Sequence, residues 1–160
     1  MFRKFSNILL LHGLILTSCS SLAVKQIDSP MEFNQAHLNQ EIRLVMVKGL
    51  SAFKTNQDVA VLLEYDTVNE VIFPSDYNLR IFIQHDGGWI EIKEKPTIRP
   101  NDPVILSPKI PSSHGQLVGF WPQLPDIKKT YNLRVYIFGD MKTKEGTEQV
   151  AAYTDIILTP

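Results

Sequence analysis

The stretch Tyr131-Asn132-Leu133-Arg134-Val135-Tyr136-Ile137-Phe138 decides the fold. Leu133, Val135 and Ile137 fall on one side of an extended chain; Arg134, Tyr136 and Phe138 fall on the other. That period of two belongs to a strand; a helix would repeat its apolar positions about every 3.6 residues. The same period recurs on both sides of the stretch. Residues 42–47 make a first strand before Gly49, and 58–66 a second, with Val59, Val61, Leu63 and Tyr65 on one face. In 79–84, Leu79, Ile81 and Ile83 oppose Arg80, Phe82 and Gln84. Asp86-Gly87-Gly88 supplies residues that accept positive φ, so 89–93 returns as a hairpin partner. Residues 94–111 hold Pro96, Pro100, Pro103, Pro108 and Pro111. Proline lacks the ladder donor, which predicts loops and an edge strand at 104–106. Residues 116–121, ended by Pro122, and 149–158 complete the set.

Seven to eight short strands and no long amphipathic helix predict an all-β protein, an antiparallel two-layer β-sandwich. The stretch from Tyr131 to Tyr136, followed by a turn and a closing strand, resembles the last hairpin of immunoglobulin-like and fibronectin type III-like domains. In those folds a tyrosine ahead of this strand packs over a corner and bonds backbone through its hydroxyl. The resemblance gives Tyr131 that place. The disulfide of immunoglobulin domains is absent, because the chain holds one cysteine.

That cysteine directs attention to the N-terminus. Arg3 and Lys4 form a cationic start, residues 8–16 an apolar run broken by His12 and Gly13, and Leu16-Thr17-Ser18-Cys19 an ending of small residues. The order is that of a secretion signal, and the run is too short to span a bilayer permanently. The ending resembles the bacterial lipobox, an aliphatic residue, a small residue, Gly/Ala/Ser and then Cys. The resemblance implies cleavage between Ser18 and Cys19, diacylglycerol on the Cys19 sulfur, and often a third acyl chain such as palmitate on the new amino group. Two or three chains anchor stably where one does not. Ser20 after the cysteine favours the outer membrane if the cell is Gram-negative; otherwise the expected place is the outer face of the cytoplasmic membrane. The competing readings are an uncleaved N-terminal helix and a plain secretory signal cut elsewhere.

The expected organisation is therefore a signal peptide at 1–18, a lipidated tether at 19–40 and a β-sandwich domain at 41–160. About 20 flexible residues reach roughly 25 Å. Of 160 residues, 44% are hydrophobic and 21% charged, ordinary for a globular domain. The net charge of −1 becomes −3 once Arg3 and Lys4 leave with the signal. No long run of one sign exists, so no nucleic-acid footprint is expected.

Chemistry-bearing motifs are sparse. His12 leaves with the signal; His37, His85 and His114 have no metal-ligand spacing, so no metal site is expected. Ser113 beside His114 is not a hydrolytic triad, and no G-x-S-x-G elbow or phosphate-cradling glycine loop appears. No catalytic residue and no cofactor is expected. The segment Gly119-Phe120-Trp121-Pro122-Gln123-Leu124-Pro125 joins aromatics to proline; Phe120, Trp121, Pro122 and Leu124 are its candidate partner-binding residues, against the alternative that they fill the core. Phe82, Tyr136 and Phe138 lie opposite the expected core positions, either as an exposed patch or under the 19–40 segment. The reading is a non-enzymatic, membrane-anchored binding or structural module of the cell envelope, with a protein partner there. A narrower version is an accessory lipoprotein of an envelope or secretion complex. The rivals are a ligand- or metal-binding protein or enzyme using His85, Asp86 and His114, and a carbohydrate or small-ligand site around Trp89 or Trp121.

Overall fold

A computed structural model describes residues 26–30, 38–47, 52–107 and 115–160. The signal at 1–18, the Leu16-Thr17-Ser18-Cys19 motif, Ser20, His37, His114, Pro108 and Pro111 lie outside the described residues.

The described residues form an all-β fold of two packed sheets. The larger sheet runs in the order β1 (Gln26–Ile27), β7 (Gly88–Ile92), β6 (Arg80–His85), β11 (Tyr131–Lys142), β12 (Thr147–Thr159) and β3 (Phe53–Lys54). Beside it, β5 (Glu70–Phe73) bridges β11 to β9 (Val104–Leu106). The smaller sheet is β2 (Ile42–Met46), β4 (Val59–Tyr65), β10 (Gln116–Pro122) and β8 (Glu94–Ile98). These pairs are antiparallel except β3 with β12. The alternation read from sequence points Val59, Val61, Leu63, Ile81, Ile83, Val118, Phe120, Leu133, Val135, Ile137, Ile156 and Leu158 into one core between the sheets. Fully burying such a side chain contributes about 1.5–3 kcal/mol.

The strand β11 is the spine. It pairs with β12 along its whole length, while its other edge is shared: Leu133–Tyr136 pair with β6 and Asp140–Lys142 with β5. Between those two partners, the Phe138 N–H donates to the Tyr77 carbonyl at 2.9 Å. Tyr77 and Asn78 make this possible by taking φ of 58° and 44°, uncommon for residues bearing a Cβ. The conformation is held from several sides. The Tyr77 N–H donates to Pro74 O (2.8 Å), the Asn78 N–H to Asp76 Oδ1 (3.0 Å), and the Tyr77 ring lies buried 6.0 Å from Phe73.

The β6–β7 hairpin closes as its turn residues predict, with Asp86 at φ 46° and Gly87 at φ 83°. The proline-rich region differs from expectation in one respect. Residues 94–98 are a strand, and Pro96 fits because β8 lies at a sheet edge and pairs only with β10. At the start of the next strand, Tyr131 is buried and its hydroxyl accepts the Asp126 N–H at 3.2 Å, across the corner that precedes β11.

Candidate functional site

The outward side chains of the larger sheet form cross-strand rows. One row runs Ile27, Trp89, Gln84, Asn132, Ile157. The next runs Glu91, Phe82, Arg134, Asp155, and a third Arg80, Tyr136, Tyr153. Phe138, Ala151 and Leu38 end the series. Directly opposed residues on one face lie close enough to touch, so each row is a line of contacts.

Its centre is aromatic and dry. Tyr136 sits edge-on to Phe82 (5.9 Å), stacks on Phe138 (6.0 Å) and meets Tyr153 (5.4 Å). Phe82, Tyr136, Phe138 and Ala151 are buried, although they face away from the main core. The chain before β2 accounts for this. Ile27 and Leu38 pack on the cluster, β1 pairs with Trp89 and Ile90, and the Asn39 N–H donates to Ala151 O at 3.1 Å. The Gln26 side chain fills the space where a Cβ on Gly88 would stand. Of the two alternatives for these aromatics, the covered one holds.

Charged groups rim the cluster. Arg80 makes a two-pronged pair with Glu91, both bonds 2.7 Å, and lies 5.3 Å from the Phe82 ring centre. Arg134 makes the same fork to Asp155 at 2.6 Å and is held between the rings of Trp89 (5.0 Å) and Tyr153 (4.9 Å). Forked geometry and ring stacking suit guanidinium in a way lysine could not match. Hydrogen bonding to these carboxylates raises both arginines above their ordinary pKa. Burial pushes the Tyr136 hydroxyl up to about 12, against a smaller opposing pull from Arg134. Among the described residues, that hydroxyl has no hydrogen-bond partner.

A second polar cluster lies between the sheets near the β8 edge. Arg99 pairs with Glu94 at 3.2 Å and donates to Ile98 O (3.1 Å) and to Gly119 O. It stands 6.0 Å from the Tyr77 ring centre. Burial pushes Tyr77 up to about 12, opposed by the Arg99 charge and by Gln116 nearby. Among the described residues, the Tyr77 hydroxyl, Glu94 Oε2 and Arg99 Nε are buried without hydrogen-bond partners. Nothing in the composition marked Arg99, a single arginine among prolines.

The smaller sheet turns a different face outward. Val45, Leu62 and Leu117 form one row, and Ala60, Gly119 and Ile98 another. Leu117 and Trp121 are each 40% exposed and Ile98 43%. Strand alternation thus divides the four partner candidates. Phe120 and Pro122 are buried and Leu124 packs partly buried against the core, leaving Trp121 outside. Leu117 and Ile98, which join Trp121 on this face, were legible only from the same alternation extended across three strands.

His85 lies exposed in the hairpin turn, Nδ1 3.0 Å from Asp86 Oδ2. Among the described residues no three His, Cys, Asp or Glu side chains are grouped to hold a metal ion. No protein-family model, curated protein sequence or solved structure matches this chain.

Proposed function

We propose that this chain is a membrane-anchored, non-enzymatic lipoprotein whose β-sandwich, of immunoglobulin-like type, is a binding or structural module of the cell envelope. The lipobox at Leu16-Thr17-Ser18-Cys19 supports the anchor, and the Tyr131 corner supports the immunoglobulin-like relation. The observation that carries the reading is the docking of residues 26–27 and 38–39 on the outer face of the larger sheet. Gln26 follows Cys19 by seven chain steps. Even fully extended these span at most about 25 Å. A lipid on Cys19 therefore keeps the β1–β7 edge near the bilayer. The smaller sheet, on the opposite side of the core, keeps Leu117, Ile98 and Trp121 open to a protein partner.

The test is metabolic labelling with palmitate in a bacterial host. Native chain takes up label, fractionates with membranes and begins at Cys19; Cys19→Ser takes up none and retains residues 1–18. Label persisting in the serine variant, or a mature N-terminus elsewhere, refutes the reading.

A further inference from the structure

A groove of about 380 Å³ lies on the outer face of the larger sheet, lined among others by Trp89, Gln84, Asn132, Arg134, Asp155 and Ile157. It occupies the end of the sheet beyond the aromatic cluster, where the rows Trp89-Gln84-Asn132-Ile157 and Phe82-Arg134-Asp155 lie side by side. Its polar groups are fixed before any ligand arrives. Asn132 Nδ2 donates to Gln84 Oε1 at 3.0 Å, which orients both amides. Among the described residues, the Gln84 N–H groups and the Asn132 carbonyl oxygen are left for another molecule. The Arg134 fork likewise fixes the Asp155 carboxylate, which keeps further lone pairs and is 54% exposed.

We propose that this groove binds a neutral oligosaccharide. Three features choose that class. Arg134 and Asp155 pair with each other, so together they give the groove no net charge. Donors and acceptors stand next to one another on planar side chains, which suits hydroxyl groups, each both donor and acceptor. Ile157, 48% exposed, and the half-buried Trp89, whose ring carries Arg134 over one face, flank the polar row with apolar surface for the C–H face of a sugar ring. Concavity, an apolar lining and a few pre-oriented polar groups are the general form of a small-ligand site. The inference goes beyond the envelope reading and does not depend on the lipid anchor.

The chain has two tryptophans, so Trp121→Phe leaves Trp89 as the sole indole reporter. The full chain carrying that change, in a detergent without sugar headgroups, is titrated with a glucose tetramer and an N-acetylglucosamine tetramer. The expected result is a saturable change in Trp89 emission with at least one of them, unaffected by equimolar inorganic phosphate. Gln84→Ala and Asn132→Ala, both at exposed positions, weaken that binding about tenfold. In the unmutated chain, the same tetramer shifts the Gln84 and Asn132 side-chain amide resonances. No saturable response to either tetramer, competition by phosphate, or silent amide resonances overturns the proposal.

Discussion

The two sheets bury the same kind of inner face and treat their outer faces in opposite ways. On the larger sheet, Phe82, Tyr136, Phe138 and Ala151 make a second apolar layer, roofed by Ile27 and Leu38 and rimmed by two arginine forks. On the smaller sheet, Leu117, Ile98 and Trp121 have no such roof among the described residues. One face is finished by the protein's own chain, and the other stays exposed among the described residues. The difference teaches that a strand apolar on both faces need not lie between two sheets: β11 is covered on one face by a sheet and on the other by an extension with a two-residue strand.

The sharpest way to break this contrast is to cut into the roofed layer. Phe82→Ala is expected to cost about 3–5 kcal/mol, as for a core aromatic. Urea unfolding measures it, and a cost under 1 kcal/mol would mean that the layer is not packed as a core.

Alkaline unfolding probes the same layer with a smaller effect. The Tyr136 hydroxyl titrates near 12 when folded and near 10 when unfolded. Its contribution is therefore complete below pH 10 and is lost as pH rises from 10 toward 12, on the order of 2 kcal/mol. Tyr77, between the sheets, is also raised to about 12 and adds a loss over the same window. Tyr136→Phe should flatten the fall in stability above pH 10. At neutral pH it should be as stable as the native chain or more so, because the hydroxyl it removes is buried with no partner among the described residues. Unchanged alkaline sensitivity in that variant would show that the ring is solvated.

The smallest effect is expected on the open face. Leu117→Ser should change stability by no more than about 0.5 kcal/mol. Thermal unfolding of that variant alongside Phe82→Ala gives the comparison directly; equal losses would erase the distinction between the two faces.

Most of the strands were legible because alternation survives translation into any antiparallel partner. The strands read at 42–47, 58–66, 79–84, 89–93, 104–106, 116–121, 131–138 and 149–158 correspond to β2, β4, β6, β7, β9, β10, β11 and β12. The pieces not read as strands are short or compromised: β1 and β3 have two residues each, β5 has four, and β8 contains Pro96. Such segments carry too little pattern, and pairing with a longer neighbour holds them. The same limit applied to function. Phe120 and Trp121 are adjacent and similar in kind, yet one is fully buried and the other open, because neighbouring residues in a strand face opposite ways. The Arg134–Asp155 fork joins residues 21 apart, which only strand register brings together.

The amino-acid order alone determined that the chain is built of strands, where the β6–β7 hairpin turns, and which residues can share a face. Those follow from backbone geometry and side-chain period, which act over a few neighbours. Tertiary structure decided which of two apolar faces became the main core, that residues before β2 cover the other, and that Trp89, Gln84, Asn132, Arg134 and Asp155 line one groove. These depend on contacts between residues far apart in the chain, whose energies exist only once the sheets have formed and water has left the space between them.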